Sequence, residues 1–84
     1  MDIGLNKEIG NCLRTVRVAQ GVTQVELADR MGETQSFVSK VEQGERALKL
    51  YEVFWYCEAL EVAPEAVVEK IRREVYSAGA NCDS

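Results

Sequence analysis

Several residue types are scarce in this chain, and each scarcity argues against a class of function. Among its 84 residues there is no histidine, and the three cysteines form no C-x-x-C pair. A zinc site is therefore not expected, because zinc is bound mainly by histidine and cysteine at short spacings. No nucleophile stands beside a base, and no glycine-rich loop is placed to bind phosphate. We accordingly predict no metal, no cofactor and no enzymatic function.

The cysteines have simpler interpretations. Cys12 and Cys57 fall within helical patterns, and we interpret both as small core residues rather than redox sensors. Cys82 lies in a polar tail, where we expect an exposed free thiol.

Long apolar runs and targeting signals are also missing. No segment approaches the ~18 apolar residues of a membrane-spanning helix. Residues 1–10 lack the apolar core and the basic lead-in of a signal peptide. We therefore predict a cytoplasmic protein without membrane contact. A single proline and an aromatic content of 7% fit an all-α protein, and 84 residues allow one domain with a small core.

Basic residues are outnumbered by acidic ones, and the net charge is −4. Surfaces that bind nucleic acid are usually basic, and dividing the chain at residue 60 leaves both parts acidic. DNA binding would therefore require a local basic face on an acidic protein. The candidates for it, which could equally be ordinary solvated charges, are Lys7, Arg14, Lys40, Arg46 and Lys49.

The most informative segment is 24–44, QVELADRMGETQSFVSKVEQG, in which two short helical patterns meet at a tight turn. Leu27, Ala28 and Met31 give the first pattern an apolar face, and Val38 and Val41 give the second an apolar edge. The small Ala28 side chain suits a place where two crossing helices approach closely.

Capping residues mark the ends of both patterns. Thr23 with Glu26 forms the sequence signature of a capping box. Gly32 falls in the turn, where a positive φ costs little for glycine. Thr34 is placed to cap the second helix, and Gly44 to stop it.

These residues resemble the helix-turn-helix of the lambda-repressor-like, Cro/repressor-type (XRE) family. The matching stretches are GVTQ at 21–24, ELA at 26–28, MG at 31–32, VS at 38–39 and E-x-G-x-R at 42–46. With the flanking helices the resemblance covers about residues 5–63. It implies a compact all-α fold of five helices, with the helix-turn-helix at helices 2 and 3 and the second of these in the DNA major groove.

The predicted helices span residues 6–19, 24–31, 35–43, 50–60 and 65–78, within a domain of residues 1–78 and a disordered tail at 79–84. The inner stripes are predicted to be Ile9, Leu13 and Val16 in helix 1; Leu50, Val53, Cys57 and Leu60 in helix 4; and Val67 or Val68 with Ile71 and Val75 in helix 5.

Other expectations concern single positions. Val22 and Val62 are expected in the core, and Pro64 suits the first turn of helix 5. Glu61 stands where family members commonly have glycine, so the end of helix 4 is expected to use another cap. Glu69 and Arg73 are spaced for an ion pair on helix 5.

The resemblance also assigns roles at the DNA interface. It implies a structural ion pair between Arg17 and Glu42, and a phosphate contact from Gln24. We predict that the residues that read bases are Gln35, Ser36, Ser39 and Lys40, with Gln35 suited to adenine. The predicted phosphate contacts are Gln24, Arg14, Thr34, Arg46 and Lys49. Phe37 suits either a thymine contact or partial burial.

The predicted partners are double-stranded DNA and a second copy of the chain. The candidate dimer surface is Tyr51, Trp55, Val68, Ile71 and Val75, which could alternatively complete the monomer core. The predicted function is a dimeric transcriptional regulator that represses by occluding an operator. An antitoxin or another protein-interaction module is the alternative, and a toxin or polymerase is a possible further partner.

Overall fold

Five α-helices followed by one π-helical turn form the chain, as described for residues 3–76 by a computed structural model. The helices are α1 (Ile3–Ala19), α2 (Gln24–Met31), α3 (Gln35–Glu42), α4 (Leu50–Leu60) and α5 (Pro64–Ile71), and the π-helical turn is Arg72–Tyr76. No strand occurs in this part of the chain, so the predicted all-α fold of five helices is confirmed. The predicted tail at 79–84, which includes Cys82, lies outside the described residues.

Helix boundaries agree with the sequence except at the two ends of the domain. The observed bounds of α2 and α4 are those predicted, and α3 ends one residue earlier than expected. Helix α1 begins at Ile3, three residues before the predicted start. Leu5 is half-buried and continues the stripe of Ile9 and Leu13 at helical spacing, which explains the extension.

The core lies where α1, α2, α3 and α4 meet, and α5 closes it. Its buried members are Leu13, Val22, Leu27, Ala28, Val38, Val41, Tyr56, Cys57, Leu60 and Val67. Ile9, Val16, Val53, Val62 and Ile71 pack around them. The predictions of buried Cys12 and Cys57 are confirmed. Burial raises the pKa of both thiols, which keeps them protonated and unreactive.

One expectation for α4 was wrong. Leu50 shares a helical face with Cys57, yet it lies at the first residue of α4 and is 71% exposed. Tyr56, by contrast, is fully buried, and its hydroxyl has a buried acceptor on α3, described below.

The C-terminal part is not one continuous α-helix. Helix α5 begins at Pro64, as proposed for that proline, but it gives way to the π-helical turn after Ile71. The expected pair of Glu69 with Arg73 is replaced by Glu69 with Arg72, at 2.6 Å between Oε2 and Nη2. The wider turn changes which residues face each other.

The burial of the three C-terminal valines follows from the same geometry. Val67 is buried and Val68 is 54% exposed, which settles the choice between them. Val75, assigned to the candidate dimer surface, is instead buried within the monomer, where the π-helical turn packs on α1.

Helix α4 ends in an unusual way. Glu61 adopts the left-handed conformation at φ 60°, where glycine is normally found. Two side chains, one from the turn after α1 and one from α2, bind the last carbonyl groups of α4: Gln20 Nε2 donates to Leu60 O at 3.0 Å, and Arg30 Nη1 donates to Ala59 O at 2.8 Å. These two contacts are the additional caps, and Glu61 itself forms the turn.

Gly10 sets the distance between α1 and α3. A Cβ atom at this position would lie 2.4 Å from the carbonyl oxygen of Val41 and 2.6 Å from that of Glu42. Only glycine therefore permits this close approach of α1 to the end of α3.

Candidate nucleic-acid interface

The α2–turn–α3 unit is fixed by the caps predicted from the sequence. Thr23 Oγ1 accepts from the Glu26 N–H at 3.0 Å, and Glu26 Oε1 accepts from the Thr23 N–H at 2.9 Å. Gly32 occupies the left-handed region at φ 70°. Thr34 Oγ1 accepts from the Phe37 N–H at 3.1 Å and so caps α3. The start of α3 therefore has a defined direction relative to α2.

The first two turns of α3 present a polar face to solvent. Gln35, Ser36 and Lys40 are exposed, and Ser39 is half-buried and accepts from Gln43 Nε2 at 3.2 Å. On the opposite side, Val38 is fully buried. The four predicted base-reading residues thus lie on or beside one accessible face of one helix.

A buried ion pair connects α1 to the end of α3. Arg17 Nε donates to Glu42 Oε2 at 2.6 Å, and Arg17 Nη2 donates to Glu42 Oε1 at 3.0 Å. Arg17 Nη1 also donates to the carbonyl of Val22 at 2.7 Å. The pair joins the two residues that the resemblance implied, and its two bonds make it bidentate.

Two further donors surround the Glu42 carboxylate, and the sequence did not indicate either. Tyr56 Oη donates to Glu42 Oε2, and Gln24 Nε2 donates to Glu42 Oε1, both at 3.0 Å. Burial by itself raises the pKa of Glu42, but these bonds and those from Arg17 together lower it below the ordinary value. Glu42 is therefore a buried, ionised acceptor in this fold.

The network reaches the surface at α3. Gln35 Nε2 donates to Gln24 Oε1 at 3.3 Å, so a hydrogen-bonded chain runs from buried Glu42 through Gln24 to exposed Gln35. No local sequence pattern predicts this chain, because its members are 18 and 11 residues apart. Gln24, predicted to contact a phosphate, also uses its side chain within the protein.

Arg46, another predicted phosphate contact, is held in place on both sides. Its Nη1 and Nη2 donate to the two carboxylate oxygens of Glu52 at 2.9 and 3.1 Å. Its guanidinium also lies 4.6 Å from the ring centre of Phe37. Phe37 is half-buried and packs against the core, in agreement with the packing interpretation.

The remaining predicted phosphate contacts are less constrained. Arg14, Thr34 and Lys49 are exposed, and Lys49 Nζ lies 5.9 Å from the ring centre of Tyr51. Within residues 3–76, neither Lys40 nor Lys49 has a carboxylate within ion-pair distance. These lysines are available to a DNA backbone.

A partly exposed apolar surface lies on α4 and α5. Tyr51, Phe54 and Trp55 are each 49% exposed, and Leu50 and Val68 are more so. Tyr51 and Trp55 contact each other edge to face, with 4.9 Å between ring centres. Ile71 is half-buried and lines a cavity of about 260 Å³ that also reaches Leu50 and Val68.

Two searches of the described residues gave negative findings. No helix of this part of the chain has the length and apolar character needed to cross a membrane. Nor does any group of three or more metal-ligating side chains come together among residues 3–76.

Comparison with known proteins identifies the family. A family model described as helix-turn-helix matches residues 13–67, which is more than half of the chain. The chain belongs to this helix-turn-helix family. It is of the XRE type, as the sequence resemblance implied, and is thereby a DNA-binding transcription regulator. No curated protein sequence matches it.

Solved structures of helix-turn-helix relatives share the fold. The restriction-modification controller protein C.AhdI from Aeromonas hydrophila is 33% identical; the match covers 73% of this chain and 92% of that one, with a TM-score of 0.68. The clp gene regulator ClgR from C. glutamicum is 27% identical over 80% of this chain and 87% of its own, with a TM-score of 0.75. The controller protein C.Esp1396I, 22% identical with a TM-score of 0.77, supports the fold alone.

Proposed function

We propose that this helix-turn-helix protein is a dimeric repressor that binds a nearly palindromic operator and blocks access to a promoter. The observation that carries the proposal is the exposed polar face of α3, held in a fixed direction by the caps and by the Glu42 network. A helix presented in this way fits the major groove, and two copies would contact half-sites about 34–36 Å apart.

Within this proposal the residues divide into two roles. Gln35 forms a bidentate pair with adenine, and Lys40 contacts guanine or a phosphate. Ser36 and Ser39 contact bases with little selectivity. The phosphate contacts are Gln24, Arg14, Thr34, Arg46 and Lys49, which fix the register of the protein on DNA.

The negative net charge is compatible with this role because the interface needs only local positive charge. Arg46 is partly neutralised by Glu52, so Lys40, Lys49 and Arg14 carry most of the attraction to phosphate. We therefore expect weaker nonspecific binding than for a basic protein of the same fold, and a salt dependence set by these few cations.

Dimerisation is supported by the apolar residues exposed on α4 and α5. Leu50, Phe54 and Val68 form no part of the monomer core, and clustered exposed apolar side chains mark protein interfaces. We propose a two-fold dimer of this chain on DNA, located in the cytoplasm, with no catalytic role.

The experiment that tests the proposal first identifies an operator by selecting bound duplexes from a random pool. It then compares the binding of Gln35→Ala and Lys40→Ala to that operator and to its single-base variants. Gln35→Ala should remove the preference at one base position per half-site, with a loss of roughly 1–3 kcal/mol there. Lys40→Ala should either remove a guanine preference or weaken binding to all duplexes equally. Ser36→Ala is the control: because Ser36 contacts bases with little selectivity, this variant should leave the base preference unchanged. An equal loss on every duplex for Gln35→Ala would contradict base reading.

A protein-interaction role, as in an antitoxin, is a second candidate. It is favoured by Tyr51, Phe54 and Trp55, which leave half of their aromatic surface exposed. Co-expression with the product of the neighbouring gene tests it, because a stable complex that hides these residues would support the alternative.

A further inference from the structure

We infer that the buried carboxylate of Glu42 sets the base preference of Gln35, favouring adenine and disfavouring guanine. This inference rests on the proposed function, because it assumes that Gln35 contacts a base. It adds a residue that touches no DNA: Glu42 acts by positioning, through Gln24, the amide that does.

The first step is the chemistry of Glu42. An ionised carboxylate accepts hydrogen bonds and cannot donate them. Three side chains donate to it here, from Arg17, Tyr56 and Gln24, and its side chain is 2% exposed. Gln24 must therefore direct its amide nitrogen, and not its oxygen, towards Glu42. The acceptor-only carboxylate of Glu42 therefore determines the orientation of the Gln24 amide.

The second step transfers this orientation to α3. Because the Gln24 nitrogen faces Glu42, its oxygen is left to accept from a neighbour. Gln35 Nε2 lies 3.3 Å from that oxygen and donates to it. One of the two N–H groups of Gln35 is thereby used within the protein. The groups left for a base are one N–H and the amide oxygen.

The third step compares the two purines. Adenine presents an acceptor, N7, beside a donor, the N6 amino group, in the major groove. The remaining N–H and oxygen of Gln35 match this pair. Guanine presents two acceptors, N7 and O6, and would need two N–H groups. Gln35 can offer the second only by releasing Gln24.

The test measures the ratio of dissociation constants for two duplexes that differ only at the base read by Gln35, adenine in one and guanine in the other. That position is first located as the one where Gln35→Ala loses its preference. The wild-type protein should prefer adenine by roughly tenfold or more, the range of a good bidentate pair. Gln24→Leu removes the hydrogen-bonded connection between Glu42 and Gln35 but leaves Arg17 and Tyr56 bound to Glu42. It should reduce the preference for adenine over guanine severalfold.

A matched control separates positioning from stability. Tyr56→Phe removes one buried donor to Glu42 and should lower the melting temperature, while Glu42 remains ionised and the Gln24 orientation is kept. Its adenine-to-guanine ratio should equal that of the wild type. If Tyr56→Phe and Gln24→Leu reduced the ratio equally, general loosening would explain both and the inference would be wrong.

The most specific variant for this test is Glu42→Gln. A glutamine at position 42 can donate to Gln24, so the Gln24 amide can turn round and direct its nitrogen towards Gln35. The oxygen of Gln35 then accepts from Gln24, and both N–H groups of Gln35 are free to contact a base. The ratio should then shift towards guanine by several fold. If Glu42→Gln does not fold, the comparison of the adenine-to-guanine ratios of Gln24→Leu and Tyr56→Phe tests the inference without it. An unchanged ratio in Gln24→Leu, on an operator that the wild type reads specifically, overturns the inference only. Absence of any sequence preference in the wild type overturns the proposed function with it.

Discussion

Glu61 carries the clearest local strain in the described chain, because it holds a left-handed backbone with a full side chain. For a non-glycine residue this conformation costs roughly 1–2 kcal/mol. Glu61→Gly should therefore stabilise the protein by up to about 1 kcal/mol, after allowing for the greater flexibility of glycine in the unfolded chain. In a domain of this size, 1 kcal/mol corresponds to a rise in melting temperature of about 4–8 °C.

Glu61→Ala is the matched control for thermal unfolding, since it removes the charge and keeps the strain. A rise for glycine and none for alanine would confirm the backbone explanation. Equal rises for both variants would assign the effect to the carboxylate instead.

The Arg17–Glu42 pair makes a prediction about pH. The folded-state pKa of Glu42 is lowered, so its contribution to stability is present above the unfolded value, about 4.3, and is lost as pH falls through the folded value. Arg17→Ala would leave a buried carboxylate without its ionic partner and should cost about 3–5 kcal/mol at pH 7. At pH 4 the difference from wild type should be smaller, because Glu42 of the variant, which is buried without its arginine, takes up a proton more readily than Glu42 of the wild type.

Urea unfolding of both proteins at the two pH values measures this difference. The same loss of unfolding free energy at pH 7 and pH 4 would show that Arg17 acts through packing rather than through charge.

At this scale the sequence predicted residues that belong to a recurrent local pattern. The capping roles of Thr23, Glu26 and Thr34 could be read because their partners are three residues away. The partners of Glu42 could not all be read, because Tyr56 and Gln24 approach it only after α4 and α2 have packed. A helical apolar pattern does not indicate which group a buried tyrosine hydroxyl will bind.

At the scale of elements, the junction of α1 with α3 decides where the DNA-facing helix lies. Gly10→Ala would place a Cβ atom 2.4 Å from the Val41 carbonyl oxygen, and backbone atoms cannot move aside as a flexible side chain can. The two helices must then separate, at a cost of roughly 1–3 kcal/mol or more. DNA affinity should also fall, because α3 is displaced.

Gly4→Ala serves as the control, since Gly4 is exposed on the same helix. It should be neutral or slightly stabilising in thermal unfolding, because alanine favours helix. If Gly10→Ala were equally harmless, the close approach would not constrain the fold.

Element boundaries were predicted well where capping residues mark them, as at α2 with Thr23 and Gly32. They were predicted less well at the two ends of the chain. The start of α1 depends on the partial burial of Leu5, and the π-helical turn follows from packing of Val75 on α1. Both residues continue a helical apolar stripe, but periodicity alone shows neither where a helix begins nor that it changes to a π-helical turn. The set of exposed apolar residues was therefore only partly predicted: Val75 belongs to the monomer core, whereas Leu50 and Phe54 are exposed.

At the scale of the whole molecule, the apolar surface of α4 and α5 should hold two copies together. Val68→Asp places a charge in that surface, where an unpaired buried charge is costly, so the dimer should dissociate in sedimentation analysis. Operator affinity should fall as well, because the two half-sites are no longer bound together. Val18→Asp, at a similarly exposed valine on α1, is the control and should leave the sedimentation coefficient unchanged. A Val68→Asp protein that remained dimeric would place the interface elsewhere.

Selection of bound duplexes from a random pool at two salt concentrations shows whether this acidic helix-turn-helix protein reads a two-fold operator through α3. We expect an enriched, nearly palindromic motif with an adenine at the Gln35 position, bound more weakly as salt rises. No enrichment by a folded protein would contradict it and would favour a protein partner for the exposed aromatic residues of α4.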